Sequence, residues 1–125
     1  MGDCERAFSI MAEQRVDGVY VVPDVLFFSQ AARLTELAAK YRLASLHQFR
    51  EEVEAGGLMS YGHSNTVPWR RAATFVDQLL KGASPADLPV QQPTEFEFFI
   101  NLRTAAALGL TIPPTLLARA DEVID

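Results

Sequence analysis

A chain of 125 residues with 49% hydrophobic content is long enough for one domain with a substantial core and too short for two. Its formal charge is −5, and Arg15, Arg33, Arg42, Arg70, Arg71 and Arg103 are scattered rather than clustered, which argues against nucleic acid as a partner. The single cysteine, Cys4, excludes an internal disulfide and has no neighbouring base to activate it.

The longest apolar runs, Val19–Val22 extended to Phe28 and Thr104–Ile112, fall far short of the roughly 20 residues a membrane span needs. The opening MGDCERAFSI lacks a basic segment followed by an apolar one, so no export signal is read and the chain as written is expected in the cytoplasm.

In chain order, Ala7, Phe8, Met11 and Ala12 form a one-sided stripe that predicts a helix over 3–15, with Asp3 as its cap. After Asp17-Gly18, the run Val19-Tyr20-Val21-Val22 has no polar alternation and predicts a central strand buried on both faces. Ser29 is placed to cap a second helix carrying Leu34, Leu37, Ala38 and Tyr41 on one side. Leu43–Leu46 reads as a second strand and Arg50–Glu54 as one or two helical turns, whose Glu51, Glu52 and Glu54 look like a solvated face. Leu58–Tyr61 reads as a third strand.

The set Trp69, Ala72, Phe75, Val76, Leu79 and Leu80 predicts a long one-sided helix, with Thr66 as cap, Pro68 in its first turn and Gly82 closing it. Residues 83–93 hold three prolines and read as an extended connector. Glu95–Phe98 alternates as a strand running into Phe99-Ile100, Asn101 caps a short helix that Gly109 stops, and Pro113-Pro114 opens a last helical segment toward Ile124. This alternation of helices and strands predicts an α/β fold: an open, doubly wound parallel sheet flanked by helices.

Ligands of such sheets bind outside the carboxyl ends of the strands. The residues there are Pro23-Asp24, His47-Gln48, and the group Ser60-Tyr61-Gly62-His63-Ser64-Asn65. An enzyme would need His47 or His63 beside Ser60 or Ser64, yet Ser64 lies in no G-x-S-x-G context and two histidines complete no closed metal site. No glycine-rich phosphate loop follows a strand, so no nucleotide and no cofactor is expected. Asp24, at the exit of a buried strand, suits an ammonium group, or else it caps a helix. Tyr61 and Trp69 offer an aromatic wall, or else they pack in the core.

Four stretches together resemble a known family: ERAFSIMAEQRVDGVYVVPDVLFFSQAARLTELAAKYRL, FREEVEAGGLMSYG, RRAATFVDQLLKGASPADLPVQQPTEFEF and INLRTAAALGLTIPPTLLARADEVID. The chain is similar to ABC transporter substrate-binding proteins of the tryptophan/phenylalanine-binding type, within the type I periplasmic binding protein fold. The resemblance implies the C-terminal half of such a protein, with the first lobe and signal peptide absent and Met1 marking a truncated start. It implies a small organic ligand such as an amino acid in an interlobe cleft, an ABC permease as partner of the full-length protein, and a periplasmic or lipoprotein-anchored setting for the family.

By position, the resemblance puts Asp24 near the ligand's amino group and Tyr61 on the strand whose end faces the cleft. With Ser60 and His63 these are the candidate site residues. The family continues SYG with a short acidic or polar segment, whereas His63–Trp69 departs from that pattern at a hinge-side crossover. In the family the following helix packs on the first lobe. Without that lobe, the helix over 67–81 is expected to fold back on its own sheet or dock on a second copy as a homodimer. The alternative reading is an orphan or dimerising module of the same fold that has lost its ligand.

Overall fold

The computed structural model describes residues 2–125, with Met1 outside them. Five strands form one sheet in the order β1 (Gly18–Tyr20), β2 (Ala44–His47), β3 (Met59–His63), β4 (Phe96–Asn101) and β5 (Glu122–Ile124). Strands β1, β2 and β3 are parallel, and β4 and β5 are parallel to each other. Between the two groups, β3 and β4 pair antiparallel, from Met59 opposite Ile100 to His63 opposite Phe96. The α/β class stands, and the sheet is mixed.

The reversal has a geometric origin. A helix that crosses over a sheet delivers the chain to the far end of the next strand, which makes the pair parallel. Helix α5 (Thr66–Leu80) leaves from the tip of β3 without crossing. Its 15 residues span about 22 Å, and the chain returns through a 3₁₀ turn at Pro85–Asp87 and an extended segment to the same end of the sheet. Strand β4 must then run backwards.

The helices α1 (Gly2–Glu13), α3 (Ala31–Lys40), α4 (Arg50–Glu54) and α6 (Leu102–Leu108) pack on one face of the sheet. The predicted stripe of α3 supplies Leu34, Leu37 and Ala38, which meet Phe8, Val21 and Leu43 in the buried cluster. Burying each large member contributes about 1.5–3 kcal/mol. Beside it, Asn101 ties the helical layer to the sheet: its side chain donates to the Val53 carbonyl at 3.1 Å and accepts from the Thr104 N–H at 3.0 Å, capping α6 as predicted. Gly109 ends α6 at φ 73°, in the left-handed region.

Several expectations change. The first strand lies at the sheet edge rather than its centre, and Tyr20 is 55% exposed. An apolar run reports a need for cover and cannot name the neighbour that supplies it. Asp3 lies inside the first turn of α1, where its charge favours the helix dipole. Ser29 closes the short α2 (Val25–Ser29), its hydroxyl donating to the Leu26 carbonyl at 2.8 Å, and Gln30 precedes α3. Thr66 is the first residue of α5, after Asn65. The last segment holds only a short α7 (Pro114–Leu117) before β5, which is fixed where Asp121 accepts from the Phe98 N–H at 2.7 Å and donates its own N–H to the Phe98 carbonyl at 2.9 Å. Glu52, expected on a solvated face, is 3% exposed.

Helix α5 does not fold back on the sheet. It has no buried residue, and Trp69 and Leu80 are 74% and 83% exposed. The Arg71 guanidinium ties it sideways to the return segment, donating to the Gln92 carbonyl at 3.2 Å.

Candidate functional site

The parallel strands point their carboxyl ends at one edge, and β4 begins there because it runs the other way. Four chain segments therefore meet at this edge: the exit of β1 through Asp24, the turn Gln48-Phe49 after β2, the tip of β3 at His63, and the entry to β4 at Phe96. The topology that sets the reversal also brings Phe96 to the tips.

Asp24 caps α2, its carboxylate accepting from the Leu26 N–H at 2.8 Å, and the residue is exposed. The carboxylate therefore serves as a helix cap, at a position that is also on the edge. Helix α2 then presents Phe28 edge-on to Phe49, with ring centroids 5.5 Å apart, and Phe49 in turn meets the His63 ring edge-on at 5.7 Å. His63 is half-buried, and its Nδ1 lies 3.1 Å from the Gln48 side-chain nitrogen. Two small cavities share His63 as a wall: one of about 220 Å³ beside Gln48, Asn65 and Glu97, and one of about 190 Å³ beside Val67, Phe75 and Pro93.

Residues alternate across a strand, so Tyr61 and His63 lie on one face while Ser60 and Gly62 lie on the other. Tyr61 is exposed and stacks on Phe96 with centroids 5.8 Å apart and planes 17° apart, with Phe98 edge-on at 6.3 Å. This is the sheet face that carries no helix from α1, α3, α4 or α6.

Ser60 points the other way and is sealed, its hydroxyl without a partner among the described residues. Its strand neighbour His47 is equally buried, and among the described residues neither ring nitrogen has a hydrogen-bond partner. A nucleophile and a base enclosed together under the helices reach no substrate from outside. Among the described residues, no three His, Cys, Asp or Glu side chains converge to hold a metal ion, and no helix is long and apolar enough to cross a membrane.

The opening between Gly62 and Asn65 is explained by contact. A Cβ on Gly62 would stand 2.4 Å from the Gln48 carbonyl oxygen, so β3 can pass β2's exit only as glycine. Ser64 and Thr66 share a hydroxyl contact at 3.1 Å where the chain turns into α5.

Sequence reasoning missed Phe49 and Phe96 as companions of His63. The rule about strand ends pointed at Gln48, and the alternation of Glu95–Phe98 contained Phe96, but only the antiparallel return places Phe96 at the edge. Glu52 was hidden by its acidic neighbours. Its carboxyl stays ionised below the usual carboxylate range: burial pushes the other way, but contact with His47 and the N–H groups of Phe49 and Gln48 outweighs it.

The α/β fold thus gathers aromatic groups and a carboxylate at its strand tips. The chain belongs to the ABC transporter substrate binding protein family, whose family model matches residues 1–124. A conserved domain protein from Vibrio cholerae is similar at 28% identity and a TM-score of 0.89, over 98% of this chain and 41% of that one. The ABC domain in complex with L-Trp from Streptococcus pneumonia is similar at 28% identity and a TM-score of 0.87, over 98% of this chain and 42% of that one. A ligand-free, open substrate binding protein with adhesive properties from Clostridium difficile shares the fold at 19% identity and a TM-score of 0.66, over 99% of this chain and 41% of that one. No curated protein sequence matches. The chain spans about two fifths of the length of the solved structures it matches.

Proposed function

We propose that this chain is a ligand-binding lobe of the substrate-binding component of an ABC-type importer, taking a small organic ligand such as an amino acid against its strand tips, without catalysis. The observation that carries the reading is that the same end of the sheet holds an exposed carboxylate at Asp24 and aromatic surface at Phe49, Tyr61, His63 and Phe96. An amino acid with an aromatic side chain has the complementary parts, an ammonium group and a flat apolar ring. The L-Trp bound by the Streptococcus pneumonia neighbour supports that class of ligand. Ser60 has no part in it, because it is enclosed beneath the helices.

In the whole protein a second lobe closes the cleft, a permease receives the ligand, and the setting is periplasmic or lipoprotein-anchored. The exposed apolar surface of α5 and the two-fifths span against the solved neighbours support a missing cover of this kind. With half of a cleft, contacts are fewer while ordering costs remain, so affinity weaker than micromolar is expected.

Titration with L-tryptophan, L-phenylalanine and L-leucine, followed by melting temperature, tests the reading. Binding to the folded chain raises the midpoint with ligand concentration. A midpoint that stays constant up to millimolar ligand, in a chain that melts cooperatively, refutes it.

A second reading is favoured by α5 alone: two copies associate through the exposed side chains of Trp69, Val76 and Leu80. Trp69 is the only tryptophan, so its emission reports the contact directly. Dimerisation predicts a blue shift that grows with protein concentration and is lost in Leu80→Asp. An emission typical of exposed indole, unchanged across concentration together with a monomeric sedimentation mass, removes this reading.

A further inference from the structure

We propose that Glu52, a residue of the core, is a positioning residue for the strand-tip edge: it holds the turn between β2 and α4 so that Gln48 and Phe49 meet His63 in one fixed arrangement. This rests on the reading of that edge as the ligand site.

Phe49 is the residue that precedes α4, the position where Ser, Thr, Asp or Asn normally supplies a capping oxygen. A phenylalanine has none to give. Its ring instead turns outward to Phe28 and His63, at 5.5 and 5.7 Å. The turn is held from inside instead: Glu52 Oε2 accepts the Phe49 N–H at 3.0 Å and the Gln48 N–H at 3.2 Å, while the Glu52 N–H that a cap side chain would take donates to the Phe49 carbonyl at 3.2 Å. This is the reciprocal half of a capping box, made without the first half.

Glu52 could do this from the surface, as its neighbours Glu51 and Glu54 remain exposed. It is buried instead, with Oε1 3.5 Å from Nδ1 of the enclosed His47. Burying a carboxylate is costly, and here it is offset by two backbone donors, with the His47 ring alongside. The local rule for a helix start is broken at Phe49 in favour of an aromatic group at the tip, and the turn is fixed from the core. Departures of this kind concentrate where function selects the residue.

His47 itself leaves no room on its other side. A Cβ on Gly57 would approach its ring within 2.6 Å, so Gly57 seats the imidazole against Glu52. The result is a stack running from the core to the edge: His47, Glu52, the Gln48-Phe49 turn, then His63.

The test compares Glu52→Ala with Glu52→Gln, which keeps one acceptor oxygen of the same reach. The readouts are the imidazole nitrogen resonances of His63 without ligand, and L-tryptophan affinity. Glu52→Ala should shift the His63 Nδ1 resonance as Gln48 leaves it, and weaken L-tryptophan about tenfold, with Glu52→Gln restoring most of both. A folded Glu52→Ala chain whose His63 resonances are those of the parent overturns the proposal. Should Glu52→Ala not fold, amide exchange in the unmutated chain decides: slow exchange at both Gln48 and Phe49 supports the clamp, and exchange as fast as in the 83–93 connector overturns it. Failure of the parent to bind L-tryptophan refutes the ligand reading, while the His63 resonances still decide the role of Glu52.

Discussion

Gln48 donates through its side-chain nitrogen to Nδ1 of His63 across 3.1 Å, joining the tips of two adjacent parallel strands side chain to side chain. An amide nitrogen can only donate, so in this contact Nδ1 is the acceptor. The tips of β2 and β3 are thereby held as a unit.

That unit depends on close passage of the two backbones. Replacing Gly62 with alanine puts a methyl group 2.4 Å from the Gln48 carbonyl oxygen, a backbone atom that moves only with the whole turn. Gly62→Ala is expected to lower stability by about 1–3 kcal/mol and to disturb the His63 resonances, as measured by urea unfolding and by NMR. A variant as stable as the parent with unchanged His63 signals contradicts the close approach.

Asn101 serves the sheet and two helices at once. Asn101→Ala removes the cap on α6 and leaves the Val53 carbonyl without its side-chain donor inside the core. The cap is worth about 1 kcal/mol, and because the Val53 carbonyl keeps the Gly56 N–H at 3.0 Å the second bond adds only about 0.5–1.5 kcal/mol, so a total loss of about 1.5–2.5 kcal/mol is expected in denaturant titration. A loss below about 0.5 kcal/mol would mean that water replaces both bonds.

Acid should destabilise the fold through two carboxyl groups of different character. Glu52 is held below the ordinary carboxylate value, with burial opposed by His47, Phe49 and Gln48. Glu5 is held below it by a hydrogen bond and charge attraction from Lys40, at 2.6 Å. A lowered folded-state value means that each contributes stability above the unfolded carboxyl range, lost as pH falls through the folded value. Unfolding midpoints should therefore fall from about pH 4.5 downwards. High salt should remove the exposed Glu5 part and leave the Glu52 part, and Glu52→Gln should flatten the salt-resistant slope. A pH dependence fully abolished by salt would assign it all to the surface.

Arg15 sits past the end of α1 with φ 55°, in the left-handed region where glycine is the usual occupant. The turn is closed by the Val16 N–H donating to the Met11 carbonyl at 3.2 Å. Arg15→Gly should relieve the side-chain strain and raise stability by about 0.5–1 kcal/mol, after the greater freedom that glycine gives the unfolded chain. An unchanged or lower unfolding midpoint would show that the arginine side chain contributes a compensating interaction.

The elements that were legible in the sequence share one property: their signal is local. The stripe Leu34, Leu37 and Ala38 buries as its spacing predicts, and Asn101 and Gly109 bound α6 as their chemistry predicts. Strand β5 was read as helix because three residues, Glu122-Val123-Ile124, carry too little pattern, and they become a strand only by pairing with β4. The exposure of Tyr20 and the burial of Glu52 were likewise out of reach, because each depends on what lies across the sheet or under the turn. Of the candidate residues, Asp24, Tyr61 and His63 lie at or beside the strand tips, while the two-residue alternation sends Ser60 inward.

By itself the sequence determined the α/β class, the spacing of most helices and strands and the family resemblance, since propensity, capping and periodicity act within a few residues of one another. Tertiary structure alone decided that α5 stands away from the sheet, that β4 therefore returns antiparallel, and that Phe96 arrives beside Tyr61 and His63. Those outcomes depend on which surfaces find a partner in space, and contacts between residues tens of positions apart leave no mark on the local pattern.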